Sequence, residues 1–205
     1  TFPAFSAAWR VTAEPFMANQ SFFTDLKIRG GWGEMGNSNN VNANNRFSLF
    51  AQSLGSSSYP IDGSNSAVDI GFFQNRIGSE NARWETSVTS NIGFDATILG
   101  GKVDVIMDLW RKVTNDLLVQ LPLPAVNGAA TSPSTNIGSM LNQGVDFAVI
   151  YRDKISSDFG FEVSLNGALL KNEITKFTDD VDFFESGGSR ITGSIVRNQV
   201  GRSLS

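Results

Sequence analysis

Apolar and polar residues alternate most clearly in the middle of the chain. Over residues 84–98 the even positions are mostly apolar and the odd positions are polar. Successive side chains of a β-strand point to opposite faces, so this pattern predicts a strand with one apolar and one polar face. Residues 102–113 repeat the alternation, with Ile106 and Trp110 as exceptions on the polar side. Because the glycines within Leu99–Gly101 favour a tight turn, we predict that the two segments pair antiparallel.

Weaker alternation predicts further strands along the chain. They are expected at residues 5–12, 26–33, 145–152 and 161–169, with shorter candidates at 46–52 and 195–204 and a short helical turn at 14–17. Long polar connections are expected at residues 34–82, 115–140 and 171–193, where asparagine, glycine, serine and proline are frequent. The connections therefore run moderate, long, short, long, short and long.

Two all-β architectures fit these strands, a soluble β-sandwich and a membrane β-barrel. The central strands reach the roughly 9–11 residues that a tilted strand needs to cross a bilayer. A sandwich has no reason to place its long loops at alternate strand ends, whereas outer-membrane barrels have short turns on one side and long loops on the other. Tryptophans 9, 32, 84 and 110 lie near predicted strand ends, which suits an interfacial aromatic girdle. The pattern favours an antiparallel transmembrane barrel.

The barrel reading assigns a different surrounding to each strand face. The apolar positions are expected to face lipid and to be solvent-exposed in the protein alone. They are Val88, Ile92, Phe94, Val105, Met107, Val145, Phe147 and Val149. The polar positions are expected to face the barrel interior. They are Glu85, Asn91, Asp95, Asp104, Asp108, Asp146, Glu162 and Asn166. We expect these polar side chains to hydrate or brace the interior more often than to bind substrate.

The composition excludes several classes of function. The 205 residues carry a net charge of −4 and contain no cysteine and no histidine. The sequence shows no basic face of the kind that nucleic-acid-binding proteins have, so no nucleic acid is expected as a partner. Without Cys or His the sequence has no thiol nucleophile, Cys/His zinc site or histidine-based triad. No cofactor or metal site is predicted.

Carboxylates are the remaining route to an enzyme. An inverting glycosidase separates its two carboxyl groups by about 6.5–9.5 Å, and a retaining one by less. Asp104 and Asp108 lie four positions apart on one predicted strand, which is roughly 13 Å. The sequence therefore favours a protein that is not an enzyme.

Several stretches resemble the SusC/RagA family of TonB-dependent outer-membrane transporters. LKIRGGWGEMGN at residues 26–37 is similar to the family's LKLRASYGxTGN, and NIGSMLNQGVD at 136–146 to its NIGSMxNKGVE. Further matches, in the family's order, are FPAFSAAWRV at 2–11, RWET at 83–86, NIGFD at 91–95, NDLL at 115–118 before LPLP at 121–124, and NGALLKNE at 166–173. The ordered set covers nearly the whole chain.

The resemblance implies a later segment of a roughly 22-stranded barrel. Residues 1–205 would then be part of one barrel domain, and the family's N-terminal domain, TonB box and plug would lie outside this sequence. The start at Thr1 and the end without a stop-like feature agree with a piece of a longer polypeptide. The whole protein would lie in the bacterial outer membrane and be coupled to TonB through the plug. It would import an oligosaccharide or a peptide beneath a SusD-like surface lipoprotein that acts as a lid.

Candidate contacts with the substrate or the lid lie in the long segments. We single out Asn37, Tyr59, Phe72 and Phe73, because aromatic rings stack on sugar rings and polar loops at one rim form a binding surface. Burial of these rings within a folded loop is the alternative. A soluble carbohydrate-binding β-sandwich remains the second hypothesis for the chain as a whole.

Overall fold

A computed structural model describes residues 1–39, 41–61, 63, 68–120, 123–128, 130–178, 182–187, 193 and 195–204. Its strands are β1 (Ala4–Arg10), β2 (Phe23–Asn37), β3 (Leu49–Ala51), β4 (Ser58–Tyr59), β5 (Asp69–Ile70), β6 (Phe73–Arg76), β7 (Glu85–Ile98), β8 (Val103–Gln120), β9 (Ser134–Lys154), β10 (Gly160–Phe177), β11 (Phe183–Ser186) and β12 (Val196–Gln199). Short 3₁₀ turns cover Val11–Ala13, Pro15–Met17, Leu99–Gly101 and Ala125–Asn127. The described residues thus confirm an all-β chain.

One six-stranded antiparallel sheet dominates the fold. Its strand order is β1-β2-β7-β8-β9-β10, while β3 pairs with β6, β4 with β5 and β11 with β12 in separate two-stranded sheets. The predicted central hairpin is confirmed, because residues 86–98 of β7 pair antiparallel with residues 103–115 of β8. The turn at Leu99–Gly101 has φ values of 53°, 67° and 92°, a region that glycine enters at little cost.

The connections leave the sheet at two different rims. The links from β1 to β2, β7 to β8 and β9 to β10 lie at one end of the strands, which we call the short-turn rim. The first loop (between β2 and β7), the second loop (between β8 and β9) and the segment after β10 lie at the other end, the loop rim. The long segments therefore share one rim, as predicted.

Several predicted boundaries are wrong. β2 extends to Asn37, and residues 115–120 and 134–140, predicted as loop, lie in β8 and β9. The candidate strand at 46–52 is reduced to Leu49–Ala51. Alternation breaks off near the loop rim because the register of β8 with β9 shifts between Thr114 and Leu118, and the adjacent Leu117 and Leu118 are both buried. The sequence therefore understated the strand lengths. Residues 62, 64–65, 121–122, 179–180 and 188, which belong to predicted loop or motif segments, lie outside the described residues.

The last predicted strand, at 195–204, also differs from the structure. Only Val196–Gln199 forms a strand, and it pairs with β11 rather than with the main sheet. Just beyond it the chain meets the edge of β10, where the amide of Ile174 donates to the carbonyl of Arg202 (2.9 Å) and the amide of Gly201 donates to the carbonyl of Ile174 (2.8 Å). The hairpin of β11 and β12 is therefore part of the loop rim.

The main sheet has two chemically different faces, because directly opposed residues of paired strands share a face. On one face, successive cross-strand rows are apolar and form what we call the apolar band. The rows, from the short-turn rim, are Ile98, Val103, Tyr151 and Val163; then Leu26, Ala96, Val105, Val149 and Leu165; then Trp9, Ile28, Phe94, Met107 and Phe147; then Ala7, Ile92, Leu109, Val145 and Leu169. The following row contains Trp32, Ser90, Arg111, Gln143 and Lys171, and we call it the polar row.

The eight side chains predicted to face lipid all lie on this face. Ile92 and Phe147 are exposed, the other six are partly exposed, and none is buried. Val88 lies beyond the polar row, outside the apolar band. The tightest cluster of buried apolar residues lies elsewhere, at the loop rim, where Ile137, Ile174, Phe177 and Phe184 pack together. Contact with lipid itself stays a prediction.

The four tryptophans do not share one face of the sheet, and a membrane girdle formed by Trp9, Trp32 and Trp84 stays a prediction. Trp9 and Trp32 lie on the apolar face, and Trp84 is exposed just before β7. Trp110 instead lies on the polar face in the middle of β8, opposite Gly144. Its assignment to a girdle is therefore wrong. The sequence signal that located it correctly was its position among the polar residues of the alternating pattern.

Glycines in the main sheet leave room for large side chains on the neighbouring strand. The directly opposed pairs are Gly31 with Asn91, Gly93 with Asp108, Gly144 with Trp110, and Gly167 with Phe147. A Cβ atom at Gly144 would lie 2.8 Å from the Trp110 ring, and one at Gly167 would lie 2.7 Å from the Phe147 ring. Such distances are too short for two carbon atoms, so these pairs fix which residues can stand opposite each other.

No helix within the described part of the chain is long and apolar enough to cross a membrane.

Candidate functional site

The polar face carries ion pairs that run across the strands. Arg29 on β2 reaches over Gly93 of β7 and binds Asp108 of β8 through two hydrogen bonds, from Nη1 to Oδ1 and from Nη2 to Oδ2, each 2.6 Å long. A Cβ at Gly93 would collide with Oδ1 of Asp108 and the carbonyl of Met107. The absence of a side chain at Gly93 therefore leaves room for a bidentate guanidinium–carboxylate pair between non-adjacent strands.

Neighbouring charges extend this pair into a network. Nε of Arg29 also donates to Oδ1 of Asp95 (3.1 Å), and Nζ of Lys27 lies 3.7 Å from the other carboxylate oxygen. A second group lies closer to the short-turn rim, where Arg152 bridges Asp104 and Glu162. Such paired charges stiffen a wall between its strands and present a hydrated surface, which agrees with the predicted bracing role.

All eight polar residues predicted to face the interior share this face. They are Glu85, Asn91, Asp95, Asp104, Asp108, Asp146, Glu162 and Asn166. The face also has an apolar row that the sequence did not indicate as a unit, formed by Trp110, Gly144 and the exposed Leu170. Among the described residues, no group of three or more His, Cys, Asp or Glu side chains is placed to hold a metal ion.

The loop rim is held together by reciprocal hydrogen bonds between the first and second loops. Asn45 of the first loop donates from Nδ2 to the carbonyl of Ser134 (2.9 Å) and accepts the Ser134 amide at Oδ1 (2.8 Å). Both residues are buried. A single amide side chain thus replaces a strand neighbour at the first residue of β9, and it fixes the base of the first loop.

A second clamp lies at the other end of the first loop. Asn136 of β9 accepts the Arg83 amide at Oδ1 (2.7 Å), and its Nδ2 donates to the carbonyls of Arg83 (3.0 Å) and Asp116 (2.7 Å). Between the clamps, the amide of Thr131 donates to the carbonyl of Asn75 (2.9 Å). Asn136 belongs to the NIGSM motif, and that was the only sequence signal for this clamp.

The four predicted contact residues lie in or beside the first loop. Asn37 ends β2 and donates from Nδ2 to Oε2 of Glu85 at 3.4 Å, so it also serves the base of the loop. Tyr59 and Phe72 are 67% and 70% exposed, and Phe73 is partly exposed in β6. Burial, the alternative raised for these rings, does not hold for Tyr59 and Phe72. No ring contact joins the three aromatics within the described residues.

The first loop exposes more apolar surface than the sequence reading singled out. The additional exposed side chains are Phe47, Leu49, Phe50, Leu54, Ile61, Val68 and Ile70. Many exposed apolar side chains on a single loop are typical of a site that contacts another molecule. Their spacing has no period of two or 3.6, so alternation gave no signal for them.

The short-turn rim has a smaller polar cluster. Nζ of Lys102 and the hydroxyl of Tyr151 both donate to Oδ2 of Asp153, at 2.9 Å and 2.8 Å. The carboxylate of Asp153 favours the charged ammonium group and raises the pKa of Lys102 above its usual range. This cluster ties the β7–β8 turn to the end of β9.

Comparisons with known proteins agree with this geometry. A family model described as "TonB dependent receptor-like, beta-barrel" matches residues 1–201. The TonB-dependent receptor SusC of Bacteroides thetaiotaomicron is 29% identical over 94% of this chain, which spans only 19% of SusC. Two solved structures have the same fold. The RagAB peptide transporter has a TM-score of 0.78 and 22% identity, covering 98% of this chain and 20% of that chain. The RagAB peptide importer in its closed-closed state has a TM-score of 0.75 and 23% identity. The match covers 89% of this chain and 19% of that chain.

Proposed function

Because the chain belongs to the TonB-dependent receptor-like β-barrel family, we propose that it forms part of the wall of an outer-membrane transporter that imports nutrients. The resemblance to SusC/RagA proteins drawn from the motifs is confirmed by the same comparisons. The chain spans about a fifth of the length of the relative SusC. The activity of the whole protein is therefore a proposal that also depends on the parts outside this segment.

The two-faced sheet is the observation that carries the proposal. The apolar band has open side chains on one face, while the other face carries the Arg29, Asp95 and Asp108 network. From Ser90 to Ile98, β7 uses about nine residues to cross from the polar row to the edge of the band, which suits a tilted membrane strand. Lipid on the apolar side and water or protein on the polar side satisfy both faces.

The remaining part of the barrel is proposed to come from the rest of the full-length protein. β1 and β10 are the two edges of the described sheet, and an unpaired edge is not tolerated in the hydrocarbon region. We propose closure by further strands to a barrel of roughly 22. A plug that couples to TonB would occupy the interior and contact the polar face.

The loop rim is proposed to face the cell exterior and to receive the substrate and a SusD-like lipoprotein lid. The clamped first loop presents Tyr59, Phe72 and other apolar side chains to the outside. Such rings suit stacking on sugars or packing against peptide side chains. The solved RagAB structures are of a peptide importer, which supports a peptide as the substrate, and the exposed rings keep an oligosaccharide as the alternative.

The experiment replaces exposed rings in the full-length protein and measures uptake. Tyr59→Ala with Phe72→Ala is expected to reduce substrate uptake or lid binding while heat-modifiable gel migration of the barrel stays unchanged. Phe159→Ala is the matched control, because Phe159 is 57% exposed at the short-turn rim. Equal uptake by the double variant and the wild type would contradict a role of the first loop.

The soluble sandwich hypothesis leads to a different outcome in purification. A sandwich needs a second sheet across the apolar face, whereas within the described residues Ile92, Leu109 and Leu169 of that face are exposed. We expect the full-length protein to fractionate with outer membranes and to need detergent. Recovery of a monodisperse protein without detergent would support the sandwich instead.

A further inference from the structure

The polar row lies next to the apolar band on the same face of the sheet. Within it, Arg111 has Ser90 and Gln143 directly opposite on the two neighbouring strands. Along its own strand, the side chains on the same face are Leu109 and Val113. Arg111 is therefore an exposed cation at the boundary between the polar and the apolar surface, and its direct neighbours on this face are neutral.

The carboxylates near this row do not neutralise Arg111. Lys171, in the same row, forms an ion pair with Glu173 at 2.5 Å. Glu34 lies on this face too, but it stands on β2, two strands away from β8. Asp104, Asp108 and Asp146 lie on the opposite face. In the part of the chain that the structure describes, Arg111 makes no ion pair.

Two open grooves lie on either side of Leu109, and Arg111 lines one of them. Each groove is apolar toward the band and polar toward the loop rim. One, of about 310 Å³, is lined by Ile92, Leu109, Ser90 and Arg111. The other, of about 470 Å³, is lined on this face by Leu109, Val145, Leu169, Gln143 and Lys171. Leu109 forms the ridge between them. The surface thus has an apolar part, formed by the grooves beside the band, and a charged part at the polar row. This division matches the acyl chains and the charged head group of a lipid.

We propose that Arg111 binds the phosphate head of an anionic lipid of the surrounding membrane, with acyl chains in the two grooves. This rests on the proposed membrane location. A guanidinium presents a planar set of donors that matches phosphate oxygens, and the Ser90 hydroxyl and Gln143 amide add neutral donors beside it. The grooves continue the apolar band, so the chains and the head meet the layers of the membrane that suit each of them. Trp32, in the same row, stands at the interfacial height that aromatic residues favour.

The test uses the full-length protein, delipidated in a non-ionic detergent and titrated with dioctanoyl phosphatidic acid under native mass spectrometry. One basic residue near a membrane surface contributes about 1 kcal/mol, so Arg111→Gln is expected to weaken binding by about fivefold. Lys112→Gln is the matched control, because it removes the same charge from the adjacent residue on the opposite face. It is expected to leave binding unchanged. Gln143→Ala is a second variant, expected to weaken binding less.

Three results would overturn the proposal. Binding by Arg111→Gln equal to that of the wild type removes the role of Arg111. Equal losses in Arg111→Gln and Lys112→Gln indicate diffuse attraction by net charge. Displacement of the lipid by equimolar inorganic phosphate shows that the grooves hold no chains. Heat-modifiable migration checks that each variant forms a barrel. A protein that fractionates with outer membranes but shows no effect of Arg111→Gln keeps the proposed function and loses only the lipid site.

Discussion

The ion pair between Arg29 and Asp108 gives the sharpest test of how the wall is held together. It joins β2 to β8 across the intervening strand β7, through two hydrogen bonds of 2.6 Å. The side chains are 27% and 23% exposed, so the pair is neither fully hydrated nor buried. Exposed pairs contribute about 0–1 kcal/mol, and removing one partner of a buried pair costs about 3–5 kcal/mol. We therefore expect a coupling free energy of about 1–2 kcal/mol.

A double-mutant cycle isolates this coupling from other effects of each substitution. Arg29→Met, Asp108→Ala and the double variant are made in the full-length protein, and the free energy of unfolding is measured with guanidinium in lipid vesicles. The cycle is needed because Asp146 lies opposite Asp108, so Asp108→Ala also relieves a repulsion between carboxylates. Single substitutions alone therefore underestimate the pair.

A second cycle provides the control. Arg29 and Asp25 lie on the same face of β2, but Asp25 is bound to Arg10 instead. Four residues along a strand correspond to roughly 13 Å, a separation at which effects add within about 0.5 kcal/mol. A coupling near zero for Arg29 with Asp108, indistinguishable from that control, would refute the bracing role of the pair.

Further predictions concern other contacts of the sheet and the loops. Gly93→Ala is expected to destabilise the barrel more than Asp108→Ala, because the new methyl group meets both the Asp108 carboxylate and the Met107 carbonyl. In unfolding measurements the double variant should lose less free energy than the sum of the two single losses, because the carboxylate clash is then absent. Asn45→Ala is expected to release the base of the first loop and speed its limited proteolysis, while Asn39→Ala, in the same loop, should not. Lys102 has a raised pKa, so its stabilising contribution is complete below the ordinary lysine pKa and is lost as the pH rises through the raised one. In a plot of the free energy of unfolding against pH, Lys102→Met should accordingly reduce the slope at alkaline pH. An unchanged slope would contradict this.

The sequence predicted the faces of the sheet better than the ends of its strands. Alternation is a direct result of strand geometry wherever the two faces differ in polarity, which is why the apolar band and the opposite polar residues were located correctly. Residues 115–120 and 134–140 pair beyond the band, where register shifts between Thr114 and Leu118 interrupt the alternation and the adjacent Leu117 and Leu118 are both buried. The partner of Arg29 lies two strands away, and only the combined registers of β2, β7 and β8 bring Asp108 to it.

The loop rim was the least predictable part. Its clamps depend on single amide side chains, Asn45 and Asn136, that meet backbone groups far away in the sequence. Tyr59 and Phe72 are exposed, and their contact with substrate or lid stays a prediction, while the exposure of Phe47, Phe50 and Leu54 followed no period. Turn-rich composition indicated a loop there without indicating how the loop folds back on β9.

The glycines that face large side chains have a consequence for how this chain can change over generations. Trp110 occupies space that Gly144 leaves open, and Phe147 does the same at Gly167. A side chain at Gly167 would meet only the Phe147 ring, so it is acceptable when that ring is lost or shortened, whereas one at Gly144 would also meet the Leu169 carbonyl at 2.5 Å. Positions 147 and 167 are therefore expected to vary together among descendants of this sequence, with a nearly constant summed volume, whereas position 144 is expected to stay glycine even where position 110 becomes smaller.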